Sequence, residues 1–286
     1  MTERTTPAPP AAGAPDTSRY LYAVGPAGEA LDAAAAQVPG LFGEPLHVVT
    51  ADGLGALVSA VPARDFDEAG LRRQLEDMER LELLARGHDA VVAGAGRHAT
   101  VLPMRLATVY LDDTRVAEML RARAEVFHGL LRRLEGHREW GVKVYAHAPA
   151  EQDPAPEPAV GGDTSPGRSY LRRRRAQRNG RRDIHRAAGT VAARVPQAAE
   201  GLAVGRVAHR PQQGPAASGS APAGPGGAAE NVCNEAYLVP DDRIEEFRAR
   251  MAGLAEGVEG VSVQVTGPWA PYSFATPPEP GPADAS

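Results

Sequence analysis

The stretch LHVVTADGLGALVSAV, residues 46–61, decides how this chain is read. Two runs of aliphatic and β-branched residues flank Asp52-Gly53, a pair that favours the positive φ angles of a tight two-residue hairpin turn. A hairpin here implies an antiparallel sheet, and the neighbouring segments extend it. RYLYAV (19–24) sets Tyr20 and Tyr22 against Leu21 and Ala23, the period-two pattern of a strand with two unlike faces. TVLPMRLATVYL (100–111) is strand-like, with Pro103 marking an edge or a starting position. WGVKVYAH (140–147) alternates again and closes the series. Between these strands, Leu71, Leu75, Met78, Leu81, Ala85 and His88 recur every three or four residues and predict one helix from about Asp67. Val116, Leu120, Phe127, Leu130, Leu131 and Leu134 predict a second over 113–136. The order β-β-β-α-β-α-β, with a further short helix at 28–37, predicts an α+β sandwich of ferredoxin-like type over residues 19–148.

A second α+β domain is expected over 168–275. It opens with an Arg-rich helix, about 168–195, followed by strands in LAVGRVAHR (202–210) and NVCNEAYLVP (231–240). DDRIEEFRARMAGLAE (241–256) reads as a helix with Asp241 and Asp242 at its positive end and Ile244, Phe247, Met251 and Leu254 on its buried side. VSVQVTGPWAPYSFA (261–275) is the closing strand together with an aromatic-rich end. The 286 residues therefore divide into two small α/β-sandwich domains, and the remaining segments lack the apolar bulk to offset the entropy of ordering. These are an N-terminal extension (1–18), a Pro/Ala-rich linker (149–167), a loop inside the second domain (212–230) and a tail (276–286), all expected to be disordered.

Composition narrows the function. A net charge of −5 and 43% hydrophobic residues give no general attraction for nucleic acid or anionic lipid. One cysteine, Cys233, excludes an internal disulfide and the Cys-rich zinc sites. No stretch approaches the length and apolarity of a spanning helix, and the N-terminus has no secretory apolar region, so a cytoplasmic protein is expected. Thirty of the 31 basic residues are Arg, Lys143 being the exception, which fits a GC-rich coding sequence.

Motifs for chemistry are missing. The eight histidines form no HExxH or HxH pair, so no metal site is expected, and His88 reads as a hydrogen-bonded core residue. Cys233 has no recognisable His or Asn partner and reads as a small buried residue. GAGRH (94–98) contains GxG, yet it ends a helix where a phosphate loop would open one. Neither a catalytic residue nor a cofactor site is assigned, and no enzyme activity is expected. The one strong charge feature is GRSYLRRRRAQRNGRRDIHR (167–186), nine arginines against one aspartate. Arg172, Arg173 and Arg175 can meet an acidic patch on a partner or on the same chain; the alternative is a nucleic-acid-binding module using the Arg-rich helix 168–186. Arg105, within PMRLAT, can pair across its own domain or meet a partner. Trp269, Tyr272 and Phe274 are expected to fold back and seal the second core, with Pro268 and Pro271 fixing the path; for Trp269 and Tyr272, direct partner contact is the competing role.

RYLYAV, LPMRLATVY, WGVKVYA, SPGRSYLRRRRAQR, NEAYLVPDDRIEEF and GPWAPYSFA occur in an order that resembles the gas vesicle protein family GvpL/GvpF, over 19–148 and 168–275. The resemblance implies a two-domain α+β protein, the first domain ferredoxin-like. It also implies a structural or accessory role in gas vesicle assembly, without enzymatic activity or cofactor. Implied partners are the small hydrophobic shell protein GvpA and other gas vesicle accessory proteins. One departure is Leu106-Ala107, where the family often shows Phe-Gly after the arginine; the linkers are also longer and richer in Pro and Ala.

Overall fold

In the computed structural model the hairpin forms as its sequence predicts: β2 (Leu46–Ala51) and β3 (Leu54–Pro62) are joined by Asp52 at φ 50° and Gly53 at φ 74°. Both turn residues are left-handed, the condition of a type I′ turn, which an L side chain at the Gly53 position would strain. The structure describes residues 16–148, 166–212 and 229–276. The four segments expected to be disordered lie for the most part outside these. At their margins Thr17 and Ser18 already belong to a strand, Pro166 to a helix and Ala229 to a strand.

The chain divides into two compact units, Met1–Arg132 and Arg133–Ser286. In the first, β1 (Thr17–Pro26) pairs antiparallel with β3, and β4 (Leu102–Pro103) and β5 (Val109–Tyr110) pair with the other side of β1. The sheet order is β2-β3-β1-β4, all antiparallel. Helix α1 (Glu29–Gln37) connects β1 to β2. The long helix expected from Asp67 is instead two pieces, α3 (Glu68–Glu76) and α4 (Met78–Gly96), preceded by the one-turn α2 (Ala63–Phe66). The break is at Asp77, whose extended backbone lets its carboxylate cap α4 by accepting from the Glu79 and Arg80 amides. This break rotates the expected apolar stripe. Leu84, His88, Val91 and Val92 are buried, while Leu75 and Met78 face solvent. The second predicted helix is likewise split, at Arg123, into α5 (Asp113–Ala122) and α6 (Ala124–Leu134), but its apolar side is buried throughout as expected.

Tyr20 and Tyr22 are fully buried with ring centroids 4.8 Å apart. His88 Nε2 faces the Met104 carbonyl at 3.1 Å, so that nitrogen carries the proton and Nδ1 accepts from the Tyr20 hydroxyl, also at 3.1 Å. Burial lowers the His88 pKa and keeps the ring neutral there. The core histidine inferred from the sequence is thus found, with its partners.

The stretch 100–111 is not one strand. It forms two short ladders around a turn in which Ala107 adopts φ 62° and its amide donates to the Tyr20 hydroxyl at 2.9 Å. A left-handed alanine costs about 1–2 kcal/mol, of which the extra unfolded-state freedom of glycine returns about 0.4–1. Ala107→Gly is therefore expected to raise stability by about 0.5–1 kcal/mol, read as a higher denaturant midpoint at unchanged slope.

The expectation that residues 140–147 close the first domain is corrected. β6 (His137–His147) lies in the second unit's sheet, paired antiparallel with β8 (Ala229–Pro240) on one side and β9 (Val261–Trp269) on the other. The reason is side-chain matching. Trp140, Val142, Val144 and Ala146 continue the apolar face of Cys233, Tyr237 and Val239, whereas the free side of β1 is already taken by β4 and β5. With β7 (Gly205–His209) the order is β7-β8-β6-β9. Helices α7 (Pro166–Ala199) and α8 (Ile244–Ala252) cover one face through Ala188, Val191, Val195, Phe247 and Met251. Each fully buried aliphatic or aromatic side chain here is worth about 1.5–3 kcal/mol. The two units share one plan: strand, helix, two strands, helical segment, strand, with the third strand inserted between the first two.

Candidate functional site

The first unit carries an apolar groove of about 460 Å³ bounded by Phe42, Pro62, Phe66 and Leu83, with Glu44, Asp65 and Arg80 at its polar rim. Its construction begins at the turn Leu41–Gly43. Leu41 is buried, its amide donates to the Tyr22 hydroxyl at 2.8 Å, and its side chain lies where a Cβ on Gly87 of α4 would be only 2.6 Å away. With Leu41 pinned between the sheet and α4, Phe42 turns through a left-handed backbone (φ 58°, ψ 19°) and points outward, 67% exposed. A bulky residue at positive φ is a true outlier and marks strain held in place by its surroundings. Phe66 forms the floor, nearly edge-on to both Phe42 (6.5 Å) and Tyr20 (5.7 Å), so groove and core are continuous. Leu83, on the solvent side of α4, is 66% exposed. Exposed apolar side chains gathered on one groove mark an interaction surface.

The second unit offers a different surface, the sheet face that α7 and α8 leave uncovered. A hollow of about 260 Å³ lies there among Gly141, Lys143, Asn234, Gln264 and Trp269. The turn after β9 is fastened across this face. Ser273 donates from its amide to Glu139 Oε2 (2.9 Å) and from its hydroxyl to Glu139 Oε1 (2.7 Å), and the same hydroxyl lies 3.1 Å from His209 Nε2. Burial raises the Glu139 pKa, and the two Ser273 hydrogen bonds partly offset this. The carboxylate here holds the serine and not the imidazole, the reverse of the order that activates a serine nucleophile. The arrangement is a clasp.

The contact residues singled out in the sequence fall in both units, Arg105 in the first and the others in the second. Arg105 is exposed in the turn between β4 and β5, so it is not strand-borne. Arg172 and Arg175 are exposed on α7; the Arg173 side chain lies outside the described residues. The expected triple aromatic seal is corrected: Phe274 is 2% exposed, but Trp269 is 52% and Tyr272 39% exposed. Phe274 also seals the uncovered sheet face and not the helix-covered core, lying against Gly205 and Leu238 with the Arg133 guanidinium 5.9 Å from its ring centroid. Trp269 lies beside Gly141 and donates from Nε1 to Thr266 Oγ1 at 3.2 Å. A single aromatic fills the available space, and the Thr266 bond turns the indole outward. The groove residues Phe42 and Leu83 were not singled out by the sequence.

Cys233 is buried, and burial pushes its thiol up to about 12, so it is not a thiolate near neutral pH. Among the described residues no group of three His, Cys, Asp or Glu side chains converges as metal ligands, and no helix is long and apolar enough to cross a membrane.

Comparison with known proteins agrees with this outline. A family model described as gas vesicle synthesis protein GvpL/GvpF matches residues 18–276. The chain is 41% identical over 236 residues to gas vesicle protein L of Streptomyces sp. (strain CB03234), spanning 82% of this chain and 85% of that one. It is 29% identical over 233 residues to gas vesicle protein F of the same strain, spanning 81% and 88%. Among solved structures, the crystal structure of GvpF from Anabaena sp. PCC7120 superposes with a TM-score of 0.61 at 18% identity, covering 92% of this chain and 97% of that one. GvpF from Microcystis aeruginosa gives 0.57 at 17%, covering 91% and 99%. At such identities the structures speak for the fold, a mixed helix-and-sheet chain with two antiparallel sheets. None of these matches supports the nucleic-acid-binding alternative.

Proposed function

The chain belongs to the GvpL/GvpF family of gas vesicle synthesis proteins, and from that premise we propose that it is a non-enzymatic accessory protein of gas vesicle assembly. In this reading it acts in the cytoplasm and at the growing vesicle, binding the small hydrophobic shell protein GvpA together with other accessory proteins. The higher identity to the L relative than to the F relative of one strain supports an L-type role.

The observation that carries the reading is the groove on the first unit. A shell subunit that lines a gas space presents apolar surface that aggregates unless covered. The groove supplies what covering requires: a buried aromatic floor, a strained outward Phe42 and an exposed Leu83. An amphipathic helix laid along it would bury its apolar side against these residues and meet the Glu44, Asp65 and Arg80 rim with its polar side. Trp269, Tyr272 and Arg105 are further contact points, the first two on the uncovered sheet face of the second unit. The split β-α-β order of the first sheet supports assigning that unit to the ferredoxin-like type. Removing the protein from a vesicle-forming cell is expected to abolish or sharply reduce gas vesicles, with recovery on resupply; vesicles of normal number and shape in its absence would refute the assembly role.

A further inference from the structure

The described packing contacts of helix α7 lie in its C-terminal half. Ile184, Ala188, Val191, Val195 and Ala199 recur every three or four residues and enter the second unit's core. Ahead of Ile184, every described position from Arg172 to Asp183 is exposed except Gly180, which is half-buried. Within that stretch Arg174, Arg178 and Arg182 follow one another at i, i+4, so like charges face each other along one side of the helix. Each such pair destabilises a helix by about 0.2–0.5 kcal/mol. Among the described residues no carboxylate relieves them. Asp183 is held by Arg186 at 3.1 Å, and among the described residues Arg172, Arg174, Arg175, Arg178, Arg181 and Arg182 form no ion pair. Residues 166–199 hold ten arginines and one aspartate, so the rest of a chain whose net charge is −5 carries about −14.

A row of exposed guanidiniums with no carboxylate partner among the described residues is stabilised when something anionic lies along it. We infer that residues 172–182 of α7 form a docking rail for an acidic helix of a protein partner, one bearing carboxylates at its own i, i+4 spacing. Guanidinium and carboxylate rows then share a repeat of about 5–6 Å and can pair in the bidentate manner arginine favours. Docking removes the repulsion within the rail, so binding and helix formation reinforce each other. A protein helix fits better than a nucleic acid. The negative charge elsewhere on the chain repels a long polyanion that runs past the rail, while a short acidic helix presents its charge at the rail alone. This goes beyond the shell-binding reading and stands or falls separately, since it uses a different unit and a different kind of contact.

The test uses the full chain and a labelled 20-residue alanine-based helical peptide with glutamate at every fourth position, followed by fluorescence anisotropy. Binding at 50 mM salt is expected, weakening about tenfold at 300 mM as screening grows, with added far-UV helical signal in the complex. The glutamine version of the peptide should not bind. Arg174→Glu/Arg178→Glu/Arg182→Glu should weaken binding at least tenfold with the thermal unfolding of the second unit unchanged, since all three side chains are exposed. Failure of the glutamate peptide to bind, equal binding by the triple variant, or equally tight binding of a single-stranded oligonucleotide of matched charge would each overturn the inference.

Discussion

Phe274→Ala is expected to cost about 3–5 kcal/mol, the loss typical of emptying a buried aromatic site, while Trp269→Ala is expected to cost less than about 1 kcal/mol. The two residues lie five apart in one aromatic-rich segment, and composition alone cannot rank them. Their surroundings do. Phe274 is 2% exposed against Gly205 and Leu238, and the Arg133 guanidinium stands 5.9 Å from its ring centroid. Any side chain added at Gly205 would meet the Phe274 ring at 3.0 Å, so that glycine is the socket. Trp269 has half its surface in water and one hydrogen bond, to Thr266. Removing the phenyl ring also loosens the turn that sets Ser273 on Glu139, and a buried carboxylate then loses both hydrogen bonds that offset its burial. Both tryptophans of the chain, Trp140 and Trp269, are in the second unit, so denaturant unfolding followed by indole fluorescence reports on that unit. Equal losses for the two variants would restore the three-aromatic seal and contradict the structure.

Period-two and period-three-to-four patterns located nearly every element, because they record which side of an element is buried, and burial dominates local choice. The Asp52-Gly53 turn, the buried side of α5 and α6 and the hydrogen-bonded core histidine were all legible in the sequence. What the pattern cannot carry is which sheet a strand joins. WGVKVYAH alternates equally well as the last strand of one unit or the first of the next, and only the partner strands β8 and β9 decide it. Breaks were also hidden. Asp77 is an ordinary residue within a continuous apolar stripe until its side chain caps the following helix. The segment 100–111 reads as a strand, and the left-handed Ala107 that interrupts it has no glycine to announce it. Glycine at the corresponding place in the family pattern is the signal that would have revealed the turn.

The groove was the least legible part. Leu83 falls beside the helical stripe in LELL (81–84), and Phe42 sits between glycines in GLFGEP (40–45), where sequence alone does not say that the backbone throws the ring outward. Gly87 is the clue in retrospect, since its missing side chain lets Leu41 seat on α4 and so fixes the direction of Phe42. The candidate site is thus made by tertiary contacts among residues that carry no chemical motif, which is why a search for catalytic and metal-binding patterns passes over it.

Capture of the shell subunit through this groove is measured most directly by co-expressing the chain with the shell protein and quantifying the subunit that co-purifies with wild type and with Phe42→Asp/Leu83→Asp. Both positions are exposed, and aspartate tolerates the left-handed backbone at 42, so folding should be unaffected, with stability within about 0.5 kcal/mol at Leu83 and no loss at Phe42. Aromatic anchors at the centre of an interface are worth about 2–4 kcal/mol, and a carboxylate pressed into an apolar contact adds a desolvation cost. The double variant is therefore expected to recover at least about tenfold less shell protein. Undiminished recovery by a folded double variant would show that the shell subunit is not held in this groove.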